Sequence, residues 1–428
     1  MTRKKDISLF FVAAFFTILL TACSAEQLYT GPAKEPLTDP ADISTGLPKV
    51  FVTTPEGQEI TEKGVWLEGV QMTVCDADGK LDYQGTLSIK GRGNSTWGFP
   101  KKPYALKLDK KQEVLGMPKH KRWVLLANWI DRTMMRNDVA FEIARQMPAL
   151  QYTPRGCFVE LFLNGRHQGN YYLCEQIKVD KNRLDITELD ESTQDGLGFT
   201  GGFLMEIDAH FDEEFRFMSK QANMPWQCKD PDKVNDLQFE YIHRYVDEME
   251  DALYDEKRFA NRDFIHYMDL ETFAEWWIVH ELTMNSEPQY PYSCLMHKDI
   301  DTPEYMSKMK AGPVWDFDFN TFRPEYAHQF TNYSHVYYPR LFQDATFRRI
   351  MKERWAAVKT AGLLKHISEY IDHNEKLLLQ SDRLNTALWP ITKNINGDVY
   401  IGFHDAVQRL KAAFTAKYFW LDNAINNL

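Results

Sequence analysis

The chain is long, acidic and rich enough in apolar residues to fold. It has 428 residues, a formal net charge of −11 and a hydrophobic content of 44%. An acidic chain is a poor match for the phosphate backbone of nucleic acid, so we expect no nucleic-acid partner. The apolar content is sufficient for buried cores and excludes a wholly disordered chain.

The N-terminal region has the pattern of a secretory signal over residues 1–22. A basic stretch at residues 3–5 precedes an apolar run at residues 7–20. This run is shorter than the span of about 20 apolar residues that crosses a bilayer. Residues 20–23, Leu-Thr-Ala-Cys, resemble a bacterial lipobox, in which the cysteine is lipid-modified and becomes the first mature residue. We therefore predict a protein of the cell envelope that is held at a membrane by lipid on Cys23.

The first part of the mature chain is predicted to be a tether followed by a β-rich region. Residues 23–46 are rich in Pro, Thr, Asp and Gly, which is typical of a linker. Short alternating or β-branched runs then predict strands at residues 50–53, 71–75, 86–90 and 104–108. Asp131 is predicted to cap a helix that ends near Met147.

A two-residue turn at Asn164-Gly165 predicts a β-hairpin. Its register would place Cys157 opposite Tyr172, with Cys174 on the diagonal at about 7–8 Å. A disulfide needs Cβ atoms about 3.8 Å apart, so we expect free thiols here.

The second half of the chain is predicted to be mostly helical. A further strand is expected at residues 202–208, before helical spacing begins near residue 234. The predicted helices lie at residues 234–253 and 270–284, with longer helical stretches near 346–379 and 402–427. Strands followed by helices predict an α+β fold.

Glycines and cations are combined in residues 89–97, Ile-Lys-Gly-Arg-Gly-Asn-Ser-Thr-Trp, which precede a basic strand at residues 101–108. Glycine allows the backbone to approach a ligand closely, and cations suit phosphate groups. The alternative is a tight turn with a solvated basic edge.

Two aspartates alternate with aromatic residues at residues 315–320, Trp-Asp-Phe-Asp-Phe-Asn. Burial of the aromatic face would leave Asp316 and Asp318 on the opposite face. Carboxylate oxygens of this kind hold Mg²⁺ against the phosphates of a substrate. The alternative is a pair of solvated loop aspartates beside core aromatics.

A third cluster, residues 280–287, lies where a predicted helix gives way to a loop. It is also compatible with an ordinary helix C-terminus. No zinc motif begins at His280, because no histidine follows four residues later.

Taken in order, these motifs resemble the CotH (spore coat protein H) kinase family, which is similar in fold to protein kinases. The matching stretches are residues 89–104, 123–147, 159–165, 169–177, 281–285 and 311–316. The resemblance covers roughly residues 47–325 and implies an α+β, protein-kinase-like domain at 47–428. A β-rich N-terminal lobe at about 47–177 and a helical C-terminal lobe at about 178–428 would hold ATP between them.

The resemblance implies nucleotide-binding roles for Arg92, Lys102, Lys107, Glu142 and Glu175. Lys107 would hold the ATP phosphates, with Lys102 as the alternative, and Glu142 would pair with that lysine. Glu175 would begin the hinge between the lobes.

The resemblance also implies a catalytic and Mg²⁺-binding role for Asp316, with Asp318 as a second metal ligand. Related sequences usually carry an aspartate as the catalytic base two residues after the asparagine that ends the helix. In this chain the residue two positions after Asn285 is Glu287, whose side chain is one methylene longer than that of aspartate. Two functions remain open: Mg²⁺- and ATP-dependent phosphorylation of Ser or Thr in exported proteins, or a catalytically inactive, lipid-anchored module that binds a protein or a glycan.

We predict that Cys23→Ser yields protein without acyl mass that leaves the membrane fraction, because two acyl chains on this residue would be the anchor. Intact-mass measurement and detergent partitioning test this, with Cys75→Ser as a control that should keep the lipid. A Cys23→Ser variant that still partitions into detergent would place the anchor elsewhere.

Overall fold

A closed seven-stranded barrel forms the first half of the body in this computed structural model, which describes residues 33–194 and 196–428. Its strands are β1 (Lys49–Thr53), β2 (Leu67–Cys75), β3 (Leu81–Gly91), β4 (Tyr104–Val114), β5 (Met117–Leu126), β6 (Gly156–Leu163) and β7 (Arg166–Glu175). They follow one another around the barrel in the order β1-β2-β3-β4-β5-β7-β6. All neighbours are antiparallel except β1 and β6, which are parallel.

The barrel closes around an apolar interior because successive side chains of a strand point to opposite faces. Buried residues from every strand fill it, among them Val50, Val70, Leu87, Ile89, Leu106, Trp123, Leu125, Val159 and Leu173. The other face of β3, β4 and β5 lies toward the rest of the protein and lines a cleft.

A second, antiparallel sheet and one helix lie against the barrel. The helix is α1 (Arg136–Arg145), and the strands are β8 (Phe203–Ile207), β9 (Arg216–Met218), β10 (Pro225–Asp230), β11 (Cys294–Lys298) and β12 (Lys310–Ala311). Their order in the sheet is β12-β11-β8-β10-β9. The sequence predicted only β8, so the later half is less purely helical than expected.

Within the described residues, seven further helices complete the fold around one large apolar core. They are α2 (Asp236–Tyr254), α3 (Glu256–Ala260), α4 (Leu270–Leu282), α5 (Tyr338–Leu341), α6 (Ala345–Thr360), α7 (Leu363–Leu388) and α8 (Phe403–Asn426). α2 begins with a capping box, in which Asn235 and Gln238 bond each other's backbone N–H groups. The predicted α+β class is confirmed.

The predicted hairpin forms at Asn164-Gly165, but its register changes along the strands. An extra residue in β7, where Gln168 and Gly169 lie opposite Leu161, shifts the pairing by one residue, so that Cys157 lies opposite Leu173 rather than Tyr172. The sequence pattern could not reveal this bulge. Every cysteine in the described part of the chain is a free thiol, as expected.

Residues 33–46 pack against the body, although they belong to the segment 23–46 that was predicted to be a tether. Ile43 is only 1% exposed. The Leu37 carbonyl accepts a backbone hydrogen bond of 2.8 Å from β7, and the Lys34 N–H donates one of 2.9 Å to α7. These residues are therefore part of the fold.

The predicted lipidation site, Cys23, lies outside the described residues, as does the rest of the signal-like region. Within residues 33–194 and 196–428, no helix has the length and apolar character that crossing a membrane requires.

A buried arginine joins the turn before α1 to the C-terminal part of the chain. α1 begins at Arg136, later than predicted, because Asp131 accepts the backbone N–H groups of residues 133 and 136 in a preceding turn. The Arg136 guanidinium pairs with Asp131 and, at 2.6 Å, with Asp398. Its Nε donates to the Thr321 carbonyl at 3.4 Å.

We predict that Arg136→Met destabilises the protein by about 3–5 kcal/mol, because it leaves two buried carboxylates without their cation. Arg349→Met is the matched control, since Arg349 forms an exposed pair with Glu353 and should cost about 0.5 kcal/mol or less. Urea unfolding measures both. Equal losses for the two variants would contradict a structural role for the Arg136 pairs.

Candidate active site

A cleft of about 990 Å³ lies between the barrel and the second sheet. Ala105 and Val124 line it from the barrel, and Leu204 and Leu295 line it from the sheet. Residues 176–178, which directly follow β7, lie along the same cleft. Two apolar walls joined by a chain segment suit a flat ring inserted between them.

The glycine-rich turn after β3 forms one end of this cleft. Gly93 has a φ of +82°, and a Cβ at that position would lie 2.0 Å from Oγ1 of Thr96. Glycine is therefore required both by the backbone conformation and by the close approach. The neighbouring Arg92 guanidinium lies 5.3 Å from the centre of the Trp315 ring, which fixes a cation at this end of the cleft.

Four carboxylates lie close enough in this cleft to affect one another: Asp208, Glu287, Asp316 and Asp318. Burial, and then repulsion from the other three, raises the pKa of Glu287 to about 9. Burial also raises the pKa of Asp316, although the nearby Arg92 guanidinium opposes this. The pKa of Asp318 is raised by burial and then by Asp316. Without a bound cation Glu287 therefore retains its proton at neutral pH.

The chemistry of the carboxylates fits magnesium that arrives with a phosphate ligand. No group of three His, Cys, Asp or Glu side chains in residues 33–194 and 196–428 is arranged to hold a metal ion by itself. Mg²⁺ is usually bound by one or two carboxylates together with water and substrate phosphates. Asp316 and Asp318, whose side chains share a hydrogen bond, meet that requirement.

The loop that carries these aspartates is strained. Asp316, Asn320 and Phe322 have φ values of +67°, +54° and +49°, each of which costs about 1–3 kcal/mol outside glycine. The expected alternation of buried and exposed residues fails here, because Phe317 is buried while Phe319 is 40% exposed. The segment is an irregular loop, not a strand with two faces.

Three asparagine side chains hold the backbone of residues 316–318. Asn137 on α1 accepts the N–H of residue 317 at 2.8 Å. Asn285, after α4, donates to the carbonyl of residue 316 at 2.9 Å. Asn396, after α7, donates to the carbonyl of residue 318 at 2.8 Å. The two carboxylates are therefore positioned by three separate parts of the chain.

Asn285 also positions Glu287. Its Oδ1 accepts the backbone N–H of Glu287 at 2.9 Å, while its Nδ2 binds the Asp316 carbonyl. Pro288 is buried and begins a tight turn with Glu287. The Asn285 amide thus links the backbone of Glu287 to that of Asp316, the two residues for which the resemblance implies a catalytic role.

The structure brings four of the predicted site residues together: Arg92, Glu287, Asp316 and Asp318. It does not bring the predicted lysines to the cleft. Lys107 is exposed on β4, on the same face as Ala105 but about 7 Å further from the glycine turn. Lys102 donates to the Trp97 carbonyl at 2.7 Å. Neither of the lysines that the resemblance implies as phosphate ligands lines the cleft, whereas Arg92 does.

The predicted glutamates are engaged elsewhere. Glu142 does not pair with Lys107 or Lys102, since its side of α1 lies against α7, where it binds His366 at 2.5 Å and its helix neighbour Arg145 at 2.7 Å. The Glu175 carboxylate is fully buried and binds arginines 155 and 183 at 2.8 and 2.7 Å. The residues after Glu175, not its side chain, line the cleft.

Sequence reasoning missed several charged groups that line the cleft, among them Asp208 and Lys101. Asp208 directly follows β8, and its carboxylate accepts from His210 at 2.7 Å and from the Ser293 N–H at 3.1 Å. Lys101 is buried, and its Nζ donates to the Ala127 carbonyl at 2.9 Å. An acidic residue at the end of a predicted strand was the available signal for Asp208. Nothing local marks Lys101 as buried.

Comparison with known families gives one match. The model of the family described as CotH kinase protein matches residues 89–417, which is more than half of the chain. A comparison with curated proteins found no match. The matched region contains Arg92 and the four interacting carboxylates Asp208, Glu287, Asp316 and Asp318.

We predict that Asp316→Asn abolishes Mg²⁺-dependent nucleotide binding and leaves the protein folded. In the wild type, Mg²⁺ must displace protons from carboxyl groups whose pKa is raised, so its affinity should increase from pH 6 towards about pH 9. Titration calorimetry with ATP, in buffers of different ionisation enthalpy, measures affinity and proton release together.

Asp405→Asn, an exposed position on α8, is the control and should bind as the wild type does. Unchanged Mg²⁺-dependent binding in Asp316→Asn would move the metal to another site, with Asp318 as the first alternative.

Proposed function

Because the chain belongs to the CotH kinase family, we propose that it is an atypical protein kinase that uses ATP and Mg²⁺ to phosphorylate Ser or Thr of exported proteins. The observation that carries this proposal is the convergence of Arg92, Glu287, Asp316 and Asp318 in one cleft. Phosphoryl transfer needs positioning and charge stabilisation more than covalent chemistry. A cation, two metal-binding carboxylates and a base that lie in one cleft would supply both the positioning and the charge stabilisation.

In this proposal the barrel serves as the N-terminal lobe and the remaining sheet and helices serve as the C-terminal lobe. The adenine ring would lie between Val124 and Leu295, beside residues 176–178 that connect the two parts. The triphosphate would extend towards the glycine turn and Arg92. This kinase-like placement is supported by the position of the cleft between barrel and sheet.

Arg92 would neutralise phosphate oxygens at the end of the cleft, where its stacking on Trp315 keeps it in place. Asp316 and Asp318 would hold Mg²⁺. The ion would supply positive charge against the negative charge that develops on the transferring phosphate. Asn285 and Asn137 would keep the carboxylates in position throughout.

Glu287 would accept the proton of the acceptor hydroxyl on its carboxylate. Burial, and then repulsion from Asp316, Asp318 and Asp208, raises its pKa, so a cation held by the two aspartates would remove part of the cause and lower that pKa. The base would then become available only when metal and nucleotide are in place. Its extra methylene is compensated by a turn that Asn285 and Pro288 hold rigidly.

The same pKa favours a second candidate, a catalytically inactive module that binds a protein or glycan at the cell surface. At neutral pH a Glu287 with a pKa of about 9 is protonated and cannot accept a proton. In either case we propose that lipid on Cys23 holds the protein at a membrane outside the cytoplasm.

We predict that Glu287→Gln lowers the rate of phosphoryl transfer by about 10²–10⁴, the usual contribution of a general base. ATP affinity should change little, because the substitution is isosteric. Glu287→Asp should keep or increase the rate, since it restores the carboxylate that related sequences carry. Radiolabel transfer to an extract of exported proteins, with ATP affinity from calorimetry, provides both readouts.

The outcomes separate the two candidates. A wild type without transfer, together with activity in Glu287→Asp, would identify a decayed kinase and favour the binding module. A measurable wild-type rate that neither substitution alters would show that Glu287 is not the base.

A further inference from the structure

Three aromatic rings form a row at the mouth of the cleft. The His210 and Tyr292 rings have centroids 4.6 Å apart, and the Tyr292 and Tyr290 rings stack at 6.2 Å with planes 29° apart. All three residues line the cleft together with Glu287. Tyr290 ends the row and is 61% exposed, so its outer face is open to a further ring.

This row is fixed to the proposed base. The carbonyl of Glu287 accepts the backbone N–H groups of both Tyr290, at 3.1 Å, and Tyr292, at 2.9 Å. The opposite end is held by Asp208, whose carboxylate accepts from the His210 ring at 2.7 Å. The backbone of the two tyrosines is therefore tied to that of Glu287.

The charges around the row restrict what can lie there. Asp212, Glu213 and Glu214 line the same cleft in addition to the carboxylates already described. The cleft lining therefore contains more carboxylates than lysines and arginines, an acidic excess that disfavours acidic chains. Exposed aromatic rings beside such a surface suit an uncharged or cationic ligand with a flat apolar face.

We propose that this ring row is the acceptor-binding surface, and that it takes a polypeptide segment with an aromatic side chain near the Ser or Thr to be phosphorylated. The aromatic side chain stacks on the free face of Tyr290 and extends the row by one ring. The acceptor hydroxyl is thereby brought to Glu287, which lies on the same turn. The inference rests on the proposed kinase function and adds the class of acceptor.

The test uses binding, so that it does not depend on turnover. The probes are fluorescein-labelled ten-residue peptides of Gly, Ala and Gln with one central Ser, and with Phe or Ala at each of the two positions on either side. Fluorescence anisotropy in the presence of Mg²⁺ and ATP gives each dissociation constant. Aromatic stacking predicts that the best Phe peptide binds about three- to tenfold more tightly than its Ala counterpart.

Tyr290→Leu should remove this preference, because leucine cannot stack, whereas Tyr290→Phe should keep it. Tyr305→Leu is the matched control, since Tyr305 is 53% exposed and lies outside the cleft lining. A Phe preference that persists in Tyr290→Leu, or one that is absent from the wild type, would overturn the proposal. So would loss of N-acetylglucosamine hexamer binding in Tyr290→Leu without any peptide preference, which would assign the row to a glycan.

Nucleotide-induced thermal stabilisation of the same preparations tests the proposed kinase function separately from the acceptor surface. A wild type that ATP and Mg²⁺ do not stabilise contradicts the proposed kinase function. A wild type that they do stabilise, but that has no Phe preference, contradicts only the acceptor surface.

Discussion

The hydrogen bonds from three asparagine side chains to the backbone of residues 316–318 are the constraint on which the cleft depends. A positive φ at Asp316 costs about 1–3 kcal/mol, and each hydrogen bond from the three asparagines returns about 0.5–1.5 kcal/mol. The backbone strain and the hydrogen-bond contributions are of similar size. Loss of one asparagine amide is therefore sufficient to make this loop conformation less favourable. Because Asn137, Asn285 and Asn396 come from α1, the end of α4 and the segment after α7, the carboxylates reach their positions only when these parts have assembled.

A second constraint is electrostatic. Four of the carboxylates that line the cleft interact with one another, and the Arg92 guanidinium opposes the rise in the pKa of Asp316 that burial causes. Such a cluster lowers the stability of the protein as the pH rises, because acids with a raised pKa in the folded state bind protons that the unfolded chain releases. The window for Glu287 extends from its ordinary pKa to about 9. An arrangement that costs stability in this way is typical of a site built to bind a cation.

The sequence predicted those features that depend on local pattern. Turn chemistry at Asn164-Gly165 identified the hairpin, and spacing identified α2 and α4. The family resemblance singled out Glu287, and the alternating pattern of residues 315–320 singled out Asp316 and Asp318; all three line the same cleft. Side-chain positions were predicted poorly where contacts between distant parts of the chain determine them.

Lys107 illustrates the reason. A strand lysine near a glycine turn satisfies every local criterion for a phosphate ligand, yet two residues along β4 suffice to carry it out of the cleft. Lys101 is the converse, since its burial depends on Asn385, which lies 284 positions later. Strand β5 was also missed, because the charged residues 119–122 conceal its alternation.

The docking of residues 33–46 has a mechanical consequence. Tension applied to the chain before residue 33 would load the hydrogen bond from Lys34 to α7 first and the Leu37 contact with β7 afterwards. These contacts lie one behind another along the chain, so they would open in sequence, each at low force. Peeling of this kind limits the load on β7 to what the Leu37 hydrogen bond transmits. The cleft would then keep its geometry while the protein is pulled from its N-terminal side.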